Sequence, residues 1–159
     1  MEIEFILRWV HIIGACILLG TGAGIAFFMV MAHRTRNPVL IAHTAGIVVI
    51  ADYIFTASAV IVQPITGLWL AHLVGWPLTE NWLLISIGLY ILVGVFWLPV
   101  VWIQAKLSKL ARQAAADNAA LPDQYFKLYR IWFACGVPAF FAVLTIVWLM
   151  VARPQFTLF

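Results

Sequence analysis

The chain has 159 residues, of which 65% are hydrophobic and only 9% carry a charge, with a formal net charge of +3. Soluble domains carry about 25% charged residues, so this scarcity excludes a water-facing globule and points to one integral membrane domain spanning 1–159. The small basic excess lies beside apolar runs, where it sets orientation, and gives no reason to expect a nucleic-acid partner.

The first apolar run predicts a helix over about 4–32. It is too long for the apolar core of a leader peptide and lacks a basic flank, so it reads as a retained span. The second predicts a helix over 39–74. As one straight helix it would measure about 54 Å, so a break is expected near 63–64, at Gln63-Pro64, with Gly67 close by. The third predicts a helix over 82–116 whose alanine-rich, basic end from Lys106 extends past the membrane. The fourth predicts a helix over 123–152, opened by Leu121-Pro122-Asp123. Each exceeds the ~20 residues that cross the hydrocarbon. Short links make neighbours antiparallel, hence an all-α, four-helix, up-down-up-down bundle. Arg34, Arg36, Lys106, Lys109, Arg112, Lys127 and Arg130 are seven of the nine basic residues. All seven fall by the links at one end, which the positive-inside rule turns to the cytoplasm, leaving both termini outside a bacterial inner membrane.

Four histidines stand near the ends of the first two runs. His11 and His33 are separated by about 40° of helical rotation and His43 and His72 by about 20°, so each pair shares a face of its own helix. In antiparallel neighbours His11 would meet His72 at the outer end and His33 would meet His43 at the inner end. Imidazoles opposed in this way are the ligand set of a membrane haem b, with His11 and His72 as the leading axial pair to iron. The plainer reading is interfacial polarity.

Asp52 lies midway along the second run. A carboxylate there costs about 2.5–3.5 kcal/mol on insertion scales and needs partners. Asp52, Thr56, Ala59 and Gln63 follow a 4-3-4 spacing that puts them on one face, toward the bundle interior. Asp52 and Gln63 are candidates to touch a cofactor or quinone or to relay protons; helix-to-helix hydrogen bonding is the bland alternative. Arg8, three residues before His11, is a candidate to hold an anionic group such as a propionate, or simply to snorkel. Gly20 and Gly24 form a small-xxx-small pair whose favoured reading is close helix packing. Cys16 and Cys135 read as small core residues. Trp69, Trp76, Trp82, Trp97 and Trp102 read as an interfacial belt, with Trp97 and Trp102 also placed to line a pocket. No phosphate loop, HExxH or CxxC is present.

Several stretches carry a family resemblance: Arg8-Trp9-Val10-His11, Gly20-Thr21-Gly22, Ala32-His33-Arg34, Ala51 to Thr56, Gln63 to Leu70, Trp97 to Gln104 and Trp148 to Pro154. Together they resemble a bacterial integral membrane family of unknown function, domain-of-unknown-function family twenty-two sixty-nine, over nearly the whole chain. A more distant likeness is to the four-helix bacterial protoporphyrinogen oxidase and the copper-resistance D-type membrane domain. It rests on His11, on Pro64 to Leu70, and on the terminal Arg153-Pro154. It implies haem or porphyrin binding, although the oxidase's Lys and second His in helix three have no counterpart between Trp82 and Trp102.

The expectation from sequence is a haem b-binding membrane protein with an electron-transfer role, working with quinone, as a homodimer or inside a larger redox complex. The alternatives are a porphyrinogen oxidase-like enzyme and a non-redox accessory subunit or scaffold.

Overall fold

The computed structural model describes residues 2–154. Among these, four helices are long and apolar enough to cross a membrane. They are α1 (Glu2–Arg34), α2 (Pro38–Val74), α3 (Asn81–Ala116) and α4 (Asp123–Ala152). Lipid offers no partner to open backbone groups, which favours continuous helices. The turns between them are short and locally determined. Asn37 caps α2 by accepting from the Val39 and Leu40 amides at 2.9 and 3.4 Å, with Pro38 at the first helical position. Gly75 ends α2 at φ 79°, a left-handed position suited to glycine, and the Trp76 amide returns to the Ala71 carbonyl at 2.8 Å.

The expected break at 63–64 does not occur: α2 runs through Pro64 without interruption. A proline at this position strips the Val60 carbonyl of its ordinary donor. The Tyr90 hydroxyl of α3 donates to that carbonyl instead, so a neighbouring helix mends the defect. The irregular turn lies earlier, at Asp52–Thr56, a π-helical turn in which the Ala57 amide reaches back to the Asp52 carbonyl. Such a turn accommodates one additional residue and is frequent at functional sites.

The π turn divides α2 into two segments with different neighbours. Pro38–Ala51 packs chiefly on α3, whereas Ala57–Val74 packs chiefly on α1; α3 and α4 form the most extensive antiparallel pair. At the end holding the basic links, Met29, Ile41, Leu107 and Tyr125 are fully buried within a close-packed cluster that includes Ile25, Val48, Ile103 and Trp132. A smaller cluster of Ala71, Trp82, Leu83 and Leu149 closes the opposite end. The bundle is hollow between them.

Three further expectations change. Trp82 is buried in the small end cluster rather than standing in an interfacial belt, and Cys16 is exposed rather than in the core. Gly20 and Gly24 have no neighbour within 4 Å of an added Cβ, so they are not a contact between helices of this chain. The close approaches between α1 and α2 are at Gly14 and Gly67, while Gly46 of α2 faces the Arg112 guanidinium of α3. A Cβ on Gly14 would lie 2.5 Å from Gln63 Nε2, and one on Gly67 would lie 3.0 Å from the His11 ring. Each of α1 and α2 thus gives up a side chain where the other inserts one.

Candidate functional site

The hollow is a cavity of about 430 Å³ with walls from all four helices. Ala15, Leu18, Leu19 and Gly22 from α1, Val93 and Gly94 from α3, and Gly136 and Phe140 from α4 make its surface overwhelmingly apolar. Gly22, Gly94 and Gly136 enlarge it, for an added Cβ at any of them would meet open space.

One corner is polar. Asp52, Thr56 and Gln63 reach it from α2, Gln104 from α3. The 4-3-4 stripe lies on the interior face: Asp52, Thr56, Ala59 and Gln63 are all buried. Asp52 is held by two neutral donors. The Trp97 indole N–H donates to Oδ1 at 3.2 Å and the Gln104 amide donates to Oδ2 at 2.9 Å. Charge-assisted bonds of this kind offset the burial of a carboxylate. Among the described residues no group of three His, Cys, Asp or Glu side chains is placed to hold a metal ion.

The histidines do not meet one another. His11 Nδ1 lies 2.9 Å from Thr66 Oγ1, while Gln63 Nε2 donates to the His11 carbonyl at 2.8 Å. His72 is exposed, and it stands six residues beyond Thr66, about 9 Å further along α2 and about 120° round from the face that meets α1. At the basic end His33 lies against α4. Its ring stacks on Tyr129 with centroids 3.6 Å apart and planes 6° from parallel, and Nδ1 is 3.3 Å from the Tyr125 hydroxyl. His43 is exposed. Neither expected pair therefore forms a bis-imidazole site. Arg8 pairs with Glu4 one helical turn away, on an exposed face. An exposed pair of this spacing is worth little energetically.

The Thr66 hydroxyl donates to the Val62 carbonyl at 2.8 Å, so its oxygen receives Nδ1–H of His11 and leaves Nε2 with a free lone pair. Fixing one ring nitrogen through a hydrogen bond is how proteins orient a ligating histidine.

Sequence reasoning singled out Asp52, Gln63 and the pocket-lining Trp97, but not Gln104, Tyr90, Thr66 or Trp132. A signal existed for Tyr90, because Pro64 leaves a carbonyl that something must satisfy. Gln104 is a polar residue amid an apolar run, which is a comparable signal. Trp102, by contrast, is exposed and does not line the cavity.

No curated protein and no solved structure matches this chain. A family match covers residues 5–154 and carries the description "predicted integral membrane protein". The chain, a four-helix integral membrane protein with a buried Asp52 corner, therefore belongs to the DUF2269 family.

Proposed function

We propose that this protein binds a lipid-soluble redox molecule of the quinone class in the central cavity and serves electron transfer within the membrane. The observation that carries the reading is the cavity itself. Its volume of about 430 Å³ lies in the range of ligand pockets, about 300–1,000 Å³, and such pockets are apolar with a few convergent polar groups. An apolar cavity with one hydrogen-bonding corner complements a molecule with an oily tail and a small polar ring. Asp52 organises the corner by orienting Trp97 and Gln104. The basic residues at the links favour a cytoplasmic orientation for that end, in a bacterial inner membrane. A larger redox complex, or a second copy of the chain, is the partner that such a role would require.

The test is direct. Organic extraction of detergent-purified protein, followed by mass spectrometry, should recover a quinone at near-stoichiometric amounts. Gly94→Leu, which fills open space in the cavity, should remove it while leaving the helical content unchanged. Purified protein that carries no quinone and fails to take up an added one would end the reading.

Haem b is the second reading, now resting on His11 alone. The specific support is the Thr66 contact, which leaves Nε2 of His11 available. A reduced-minus-oxidised visible spectrum would show a haem signal that is lost in His11→Ala and kept in His72→Ala. A colourless protein would remove both this reading and the porphyrinogen oxidase-like alternative.

A further inference from the structure

The polar corner contains more hydrogen-bonding capacity than the protein itself uses. Gln104 must turn its NH₂ to the Asp52 carboxylate, so Oε1 points the other way, and that oxygen is buried without a partner. The Thr56 hydroxyl is buried without a partner too, as is the indole N–H of Trp132. All three residues line the same cavity, and they are 4%, 7% and 5% exposed, respectively. Buried polar atoms are nearly always paired. Three such atoms lining one largely apolar chamber form the complement of a polar head group.

The three differ in what they need. Trp132 can only donate, Thr56 can donate or accept, and Gln104 Oε1 can only accept. An oxidised quinone offers carbonyl oxygens, which only accept. It would satisfy Thr56 and Trp132 but leave Gln104 Oε1 desolvated and unpaired. The reduced form offers hydroxyls, which donate and accept from the same oxygen. Resting on the quinone reading above, we propose that the site is selective for the reduced, hydroxyl-bearing form of its ligand, with Gln104 Oε1 as the discriminating atom. Rejection of a ligand that leaves a buried polar group unmatched is the stronger kind of specificity, and here it corresponds to about tenfold or more. Binding the reduced form more tightly also makes the bound couple more oxidising, by about 30 mV per tenfold for two electrons.

The experiment is anaerobic calorimetry on the full chain in lipid nanodiscs with four probes: decylbenzoquinone, its hydroquinone, the dimethyl ether of that hydroquinone, and a long-chain isoprenoid alcohol. The hydroquinone should bind at least about tenfold more tightly than the quinone and the ether, neither of which can donate. Gln104→Met should bring the hydroquinone and the quinone to within about twofold of each other. Thr56→Val keeps the side-chain shape and leaves the Asp52 contacts in place, so it serves if Gln104→Met fails to fold; it should weaken both forms. Equal affinity of quinone and hydroquinone for the unaltered chain overturns the selectivity and leaves the quinone reading standing. Tight binding of the alcohol, with neither quinone form bound, upholds hydroxyl recognition and overturns the quinone reading. Absence of binding by all four overturns both.

Discussion

The basic end of the bundle and its middle are built from similar residues to opposite effect. At the basic end, Leu107, Ile41 and Met29 interlock around Tyr125 with almost no accessible surface. A few turns away, Gly22, Gly94 and Gly136 face an open chamber where a methyl group would touch nothing. Lipid tails are as apolar as leucine, so burying side chains between helices brings little hydrophobic gain, and close contact and hydrogen bonds hold such bundles together. The packed end supplies those contacts. The middle forgoes them, and what stabilises its walls is polar: Asp52 with Trp97 and Gln104, Tyr90 with the Val60 carbonyl, and Gln63 with the His11 carbonyl. One part of the molecule is closed by packing, and the other is held open by hydrogen bonds.

The contrast can be broken most severely at Tyr125. Tyr125→Ala should destabilise the bundle by about 3–5 kcal/mol, since it opens a cavity where every neighbour is fixed, and thermal unfolding in detergent reads this. Gly14→Val should come next, at up to about 3 kcal/mol, because the new side chain collides with Gln63. Tyr90→Phe should cost about 2 kcal/mol by orphaning the Val60 carbonyl. The same change made on a Pro64→Ala background should cost much less, because residue 64 then supplies the missing N–H; equal costs in the two backgrounds would show that Tyr90 does not mend the proline. In the chamber the sign reverses: Gly94→Ala should stabilise the helix by about 0.5–1 kcal/mol, and a clear loss of stability there would show that the space is needed for packing. His43→Ala, on an exposed face, should stay within about 0.5 kcal/mol.

Much of the architecture was readable because apolar length and loop charge are local properties. The four spans, the stop near Val74 and the extension of α3 to Ala116 derive from them. The polar stripe was also readable, since Asp52, Thr56 and Gln63 belong to one helix and periodicity alone fixes their common face. The histidine pairing was not. Spacing says which face His11 occupies, but only the rotation and offset of α2 against α1 decide that it meets Thr66 rather than His72. The irregular turn falls away from the expected break for a related reason. Pro64 weakens α2, yet Tyr90, remote in sequence, supplies the lost bond, while Asp52 to Thr56 has no proline to announce its wider turn. Gln104 and Trp132 escaped notice because their importance lies in what they lack, which no single helix reveals.

The π turn also determines where the chain tolerates a change in length. A wider turn absorbs a single extra residue without altering the phase of the helix beyond it. Deleting Tyr53, which is 79% exposed, would draw Asp52–Thr56 into a plain α-helix and leave Gln63 and Thr66 still aimed at α1. The same deletion at Val49 or Ile61 would swing the later half of the span by about 100° and carry both residues off their partners. Relatives whose second span is one residue shorter should therefore carry the gap at this turn.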